Sequence, residues 1–306
     1  MCPNWRISGL RPLPDGEGAL SRVYVVGLGR MGRGVVRNLA RRGHEVLGYD
    51  ISSEAYRRLE GTQGFRPSSS VSEAENADYV LLLLPTAREL LWALDELSGY
   101  GGVVINMTTV GLQDAREAAR KAPPRYLTAM IEGGPANAES GTMTLYVGGP
   151  EETFKASAGL LSELGYPVYL GTHEAAATMK LLSTALLLVN VAALAEVSSA
   201  LSSIGVDKDQ VVKALSSGGA DSAQLRSRLP IMLSRSYRDL FSADLASYVI
   251  REAMTAARSL GSGYLPILSS VAELIDALRS AGHGSHDVAE LAELYRGLAA
   301  RRPEAS

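Results

Sequence analysis

The sequence predicts a doubly wound, parallel α/β domain over residues 21–170, followed by an all-α domain over 171–306. Three observations predict it. Short β-branched runs alternate with helical stretches from Ser21 to about Leu170, as strands joined by crossover helices do. The strand candidates are continuously apolar rather than alternating, which marks strands covered on both faces. After Gly171 no convincing strand appears, and helical patterns run nearly to the end.

Taken in order, residues 1–20 read as a loose extension rich in Pro and Gly, without the apolar stretch of a secretory signal. The single cysteine, Cys2, excludes an internal disulfide framework and a cysteine-based metal site, and fits a reducing, cytoplasmic setting. Strands are expected at VYVVG from Val23, EVLGYD from Glu45, YVLLLL from Tyr79, VVINM from Val103 and TLYVGG from Thr144. An amphipathic helix runs from the first of these to about Arg42, with Gly43 as its stop. Met179–Ile204 is long and apolar enough to cross a bilayer. It carries Lys180, Asn190, Glu196 and several serines, so a long buried helix is the reading adopted. Gly205, Gly218-Gly219, Pro230, Gly261, Gly263, Pro266 and Gly282 punctuate the rest. A late helix opens at Asp287, with Glu290 three residues on as a capping box. With a net charge of -3 and no dominant basic stretch, a nucleic-acid partner is not expected.

The most informative stretch is GLGRMG, Gly27-Leu28-Gly29-Arg30-Met31-Gly32, set between a strand and a helix. Gly27 permits the tight turn, and Gly29 lets a pyrophosphate approach backbone N–H groups at the helix N-terminus. Gly32 lets helix and strand pack closely. Asp50 closes the second strand about 20 residues on, which completes the Rossmann-type dinucleotide context. A carboxylate there accepts from ribose hydroxyls and repels a 2′-phosphate, and Ile51 follows where an NADP enzyme often places Arg. NAD is therefore the expected cofactor. NADP stays open because Arg57 and Arg58 lie close by.

The same residues carry a family resemblance. GLGRMGRGVVRNLARRGHEVLGYD resembles the opening motif of the β-hydroxyacid dehydrogenase family, which includes 3-hydroxyisobutyrate, tartronate semialdehyde and serine dehydrogenases. The resemblance covers Val23 to about Leu298 and implies a small-molecule substrate. It implies that Leu84-Pro85 lies against the cofactor and that Thr109, in Asn106-Met107-Thr108-Thr109, faces the nicotinamide. TAMIEGGPANAESGTMTLYVGG is similar to the family's substrate motif, which points to Glu132, Gly133 and Gly134. There Glu132 replaces a serine and Met130 a proline. GTHEAAATMKLLST resembles the lysine motif and places the family's catalytic lysine at Lys180. Ser183 and Thr184 stand for two asparagines that help bind substrate. FSADLASYVI resembles a further motif, with Tyr248 and Val249 in its Lys-Asp positions, so Tyr248 is a candidate cofactor contact.

These motifs imply hydride transfer between a nicotinamide cofactor and a small hydroxy compound. Lys180 is the candidate general acid/base, which requires desolvation to lower its pKa. Glu132 would repel a substrate carboxylate, and if close to Lys180 it would oppose that lowering. Imine reduction and non-catalytic dinucleotide binding are the competing readings. His173 is a possible second cleft residue. His283 and His286 sit in GHGSHD with no further ligand in view, so no metal site is expected. The long apolar helix suggests a homodimer or larger assembly.

Overall fold

The computed structural model describes residues 19–238 and 240–300; the expected extension and Cys2 fall almost wholly outside them. Contacts divide the chain into two compact units, one up to Lys180 and one from Leu181 on.

The first unit is built on an eight-stranded sheet. Its strands and helices follow one another as β1 (Arg22–Val26), α1 (Arg30–Arg41), β2 (Glu45–Tyr49), α2 (Ser53–Arg57) and β3 (Phe65–Pro67). Then come β4 (Tyr79–Leu82), α3 (Ala87–Glu96), β5 (Val103–Asn106), α4 (Leu112–Lys121) and β6 (Tyr126–Glu132). The last part comprises α5 (Pro135–Ser140), β7 (Met143–Gly148), α6 (Glu151–Ala156), α7 (Ala158–Leu164) and β8 (Gly165–Tyr169). The strand order is β3-β2-β1-β4-β5-β6-β7-β8. All neighbours run parallel except β6 and β7, which pair antiparallel with Glu132 opposite Thr144.

The apolar runs behave as their composition demands. In β1, Val23 and Val25 enter one core with Val35, Val36 and Leu39 of α1, whereas Tyr24 and Val26 enter another with Leu90, Ala93 and Leu94 of α3. Both faces of the sheet are thus covered, and every residue of β4 and β5 is buried. Three strands lie outside the five that the sequence predicts. β3 has three residues, β8 alternates exposed and part-buried positions, and β6 was read only as part of the substrate motif.

The long helix α8 (His173–Ser202) begins in the first unit and continues into the second. Its mean hydropathy reaches 1.8, and by length and composition alone it passes for a membrane span. Ala177 joins the core of the first unit, and Leu188, Val191 and Ala195 join that of the second.

The second unit holds the rest of α8 with α9 (Lys208–Ser216), α10 (Ala223–Ser234), α11 (Ala243–Ser259), α12 (Pro266–Leu278) and α13 (Leu291–Ala300). Leu225, Leu229, Ile250, Ile275 and Leu291 are fully or nearly fully buried in its core. A buried ion pair, Arg228 with Asp287, ties α10 to the segment before α13. Asp287 also accepts backbone N–H bonds from Leu240, Phe241 and Ala289 at 2.8–3.0 Å. It caps a short 3-10 turn, Val288–Glu290, as the sequence suggests. Glu290 turns its carboxylate to His283 and His286 instead.

Candidate active site

Strands β1, β4, β5 and β6 run parallel, so the segments that follow them emerge at one sheet edge. The strand order reverses between β1 and β4, and open α/β sheets bind ligands at that switch. The fingerprint loop, Leu84-Pro85, Asn106–Thr109 and Glu132 all lie along this edge.

The loop glycines do different work. Gly27 has φ +95, and a Cβ on it would fall 2.3 Å from the Leu83 carbonyl oxygen. A Cβ on Gly32 would fall 1.9 Å from the Gly27 carbonyl oxygen, so α1 starts against the loop only because that position is bare. At Gly29 nothing lies within 4 Å of the same point. Gly29 is also the N-cap of α1 and has no side chain to cap the first turn, so Arg30, Met31 and their neighbours present backbone N–H groups to that open space. These residues fit a dinucleotide pyrophosphate.

Beside the loop lies an open cleft of about 660 Å³ lined by Tyr49, Asp50, Ile51, Tyr56, Pro67, Ser68 and Ser69. Asp50 does more than face it. One carboxylate oxygen accepts from Leu28 N at 2.7 Å, and the other accepts from Ser52 N at 2.8 Å. The carboxylate therefore holds the fingerprint loop and keeps lone pairs free to accept further hydrogen bonds on the cleft side. Ile51 is 91% exposed. Arg57 and Arg58 both pair with Glu54 on the exposed side of α2. On α1, burial lowers the Arg33 pKa, assisted by the like charges of Arg58, Arg37 and Arg30.

Leu84 meets the fingerprint loop, with its Cδ2 3.5 Å from the point where a Gly27 Cβ would stand. Thr108, which the sequence reading passed over for its neighbour Thr109, fixes this arrangement. Its buried hydroxyl accepts from Leu84 N at 3.0 Å and donates to Leu82 O at 3.3 Å. Its own N–H bonds to Asn106 Oδ1 at 2.9 Å. Thr109 follows, part-buried, and Pro85 is exposed.

Glu132 ends β6, where Gly133 takes φ +125 to turn the chain into α5. Gly134 caps α5, and its N–H bonds to Asn137 Oδ1 at 3.0 Å. Lys180 stands two turns into α8, with its Nζ 3.3 Å from Glu132 Oε1. Apart from this ion pair, the buried Glu132 Oε1 has no polar partner. Both side chains are largely buried, at 14% and 21% exposure. Burial lowers the Lys180 pKa, and the Glu132 charge opposes but does not cancel that shift.

His173 is placed elsewhere. Its Nδ1 lies 3.0 Å from the Thr128 hydroxyl, its ring tilts against Tyr126, and burial depresses its pKa. In the second unit, Ser183 and Thr184 follow Lys180 by about one helical turn, and Thr184 Oγ1 is buried without a hydrogen bond. Tyr248 stands on α11 at 39% exposure.

A nucleotide-binding edge with a desolvated lysine beside it defines an NAD(P)-dependent oxidoreductase. Comparison with known proteins agrees. Residues 22–183 match the NAD binding domain of 6-phosphogluconate dehydrogenase. Residues 175–295 match the NAD-binding domain of NADP-dependent 3-hydroxyisobutyrate dehydrogenase. The chain belongs to the β-hydroxyacid dehydrogenase family. It is 28% identical to L-threonate dehydrogenase of Cupriavidus necator over 90% of this chain and 96% of that protein. It is also 28% identical to 3-hydroxyisobutyrate dehydrogenase of Pseudomonas aeruginosa, over 91% and 99%. Among solved structures, 3-hydroxyisobutyrate dehydrogenase of Mycobacterium tuberculosis with L-serine superposes with a TM-score of 0.79. That match has 23% identity and covers 90% of this chain and 99% of the other.

Proposed function

We propose that this enzyme interconverts a small hydroxy compound and its carbonyl form, with Lys180 as the general acid/base and NAD(H) preferred over NADP(H). The observation that carries the reading is the buried Lys180 ammonium, held 3.3 Å from a carboxylate and shifted towards neutrality. The bound nicotinamide supplies the hydride acceptor or donor. The chain's own residues do the rest. In oxidation, neutral Lys180 Nζ takes the hydroxyl proton; in reduction, the ammonium returns it. Glu132 favours the ammonium, so it biases Lys180 towards the reducing direction. The fingerprint loop, held by Asp50, and the Leu84-Pro85 segment, held by Thr108, fix the cofactor's position.

Glu132 also bears on the substrate. A second carboxylate close to it would be repelled, whereas a neutral or amine-bearing group would not. Its Oε1 has no partner besides the Lys180 ammonium, and a donor on the substrate would add one. Neutral or amine-bearing hydroxy compounds are therefore the expected substrates, in contrast to the acids named for the relatives. Ser183 and Thr184 as substrate contacts, and Tyr248 as a cofactor contact, rest on motif positions alone. The same reading expects a cytoplasmic enzyme without nucleic-acid or membrane partners.

Kinetics with matched hydroxy acids, amides and amino alcohols, with either cofactor, test the proposal. Lys180→Met lowers turnover about 10²-fold or more while NAD affinity holds. Glu132→Ser improves turnover of the acids relative to the wild type. Near-normal turnover in Lys180→Met, or strong wild-type activity on acids unchanged by Glu132→Ser, would overturn it.

A further inference from the structure

The second unit carries a cluster that the dehydrogenase chemistry does not use. His283 lies in the π-helical turn Arg279–His283 after α12, and Gly282, at φ +91, reverses the chain just before it. Three residues on, His286 returns towards it, and Glu290 completes the set from the end of the 3-10 turn before α13. His283 Nδ1 and His286 Nδ1 are 3.3 Å apart. Glu290 Oε2 lies 2.7 Å from the first and 3.1 Å from the second. Three potential ligand atoms thus lie close together, one from each residue. A metal bonded to N and O at about 2.0–2.1 Å sets its ligands about 3.3 Å apart in a tetrahedron and about 2.9 Å apart in an octahedron. The observed spacings of 2.7, 3.1 and 3.3 Å lie around the octahedral edge, so ligation needs shifts of only a few tenths of an ångström.

The turn is held before any ion arrives. Ala243 N donates to His286 O at 2.9 Å, Asp244 N to Gly284 O at 2.8 Å, and His286 N to His283 O at 3.1 Å. Ser242 and Asp287 form a β-bridge. Asp287, the next residue after His286, is locked by Arg228 and three backbone N–H groups. The imidazoles are therefore preset by backbone that α10 and α11 hold in place, which lowers the ordering cost of ligation. The Glu290 side chain is only 13% exposed, whereas His283 and His286 are 39% and 48% exposed. One side of the cluster is walled by protein and the other is open to water, which can fill the remaining coordination positions.

We infer that His283, His286 and Glu290 form a binding site for one divalent transition-metal ion of the Zn²⁺ class. Two imidazoles and one carboxylate, with no thiolate, suit Zn²⁺, Co²⁺, Ni²⁺ or Cu²⁺ rather than Mg²⁺ or Ca²⁺. The ion acts as a clip. It joins the end of α12 to the start of α13 across His283–Glu290 and stabilises the folded second unit by mass action.

Untagged full-length protein, stripped with chelator, is titrated with Zn²⁺ by calorimetry and with Co²⁺ by visible absorption. The expected result is one ion per chain, d–d bands on adding Co²⁺, and a melting temperature raised by Zn²⁺. His286→Gln and Glu290→Gln each weaken binding by at least the 10–100-fold that even an outer-shell loss costs, and both abolish the thermal shift. His286 is half-exposed, so its substitution leaves the fold intact, which far-UV circular dichroism verifies. Absence of saturable one-to-one binding, or affinity unchanged in His286→Gln, overturns the site. It would leave a carboxylate hydrogen-bonded to two imidazoles and nothing more.

Discussion

At the scale of single residues, the proposed chemistry turns on Glu132 and Lys180, which pull in opposite directions. Burial drives the Lys180 pKa down, and the neighbouring carboxylate holds part of it up. Oxidation through a neutral lysine gains rate as pH rises through that pKa, giving kcat/KM an acid limb. Glu132→Gln removes only the raising contribution, so the limb moves to lower pH. A pH profile of the two proteins on a neutral hydroxy compound measures this. A limb that stays put, or moves to higher pH, means that Lys180 does not titrate in the rate profile. The sequence placed Lys180 and Glu132 as candidates through motif position, and it posed their conflict. It could not reveal that they stand 3.3 Å apart, because β6 and α8 are separated along the chain and only the folded edge of the sheet joins them. Thr108 was missed for a simpler reason. In Thr108-Thr109 nothing local shows which hydroxyl turns inward to bridge Leu84 N and Leu82 O.

Among the elements, legibility followed length and burial. The apolar runs of β1, β4 and β5 announce strands covered on both sides, and their β-branched content agrees. β3 and β8 are edge strands, short or half-exposed, and so lack that signal. The Asp287 cap was readable, but its partner was not. Glu290 fits a capping box by spacing, yet in the structure its carboxylate turns to two histidines. Arg228 with Asp287 left no sequence trace at all, since the pair joins residues far apart in the chain. Asp287→Ala would leave a buried guanidinium unpaired and three backbone N–H groups without their acceptor. The expected loss is about 3–5 kcal/mol of stability. Chemical denaturation followed by circular dichroism checks it, and a loss below about 1 kcal/mol would place the pair among ordinary surface contacts.

For the whole molecule, the question left by α8 is what covers its outer face. Met179, Leu186 and Val197 are 43%, 63% and 47% exposed, and their spacing puts them on one stripe of the helix. Such a stripe suits a second copy of the chain. Light scattering should then give at least twice the chain mass, with Leu186→Glu shifting it towards the monomer; a monomeric wild type would refute the assembly. The same helix also limits how the gene can change. α8 runs from the first unit into the second without a loop, over about 45 Å at 1.5 Å per residue. Surface loops absorb inserted residues at small entropic expense. One residue added between Leu181 and Ser183 would rotate Leu181 by about 100° relative to Ala185, and so out of the small core that both share with Val249, Ala253 and Ala256. This turn of α8 is therefore a place where a residue is exchanged at less cost than one is gained or lost.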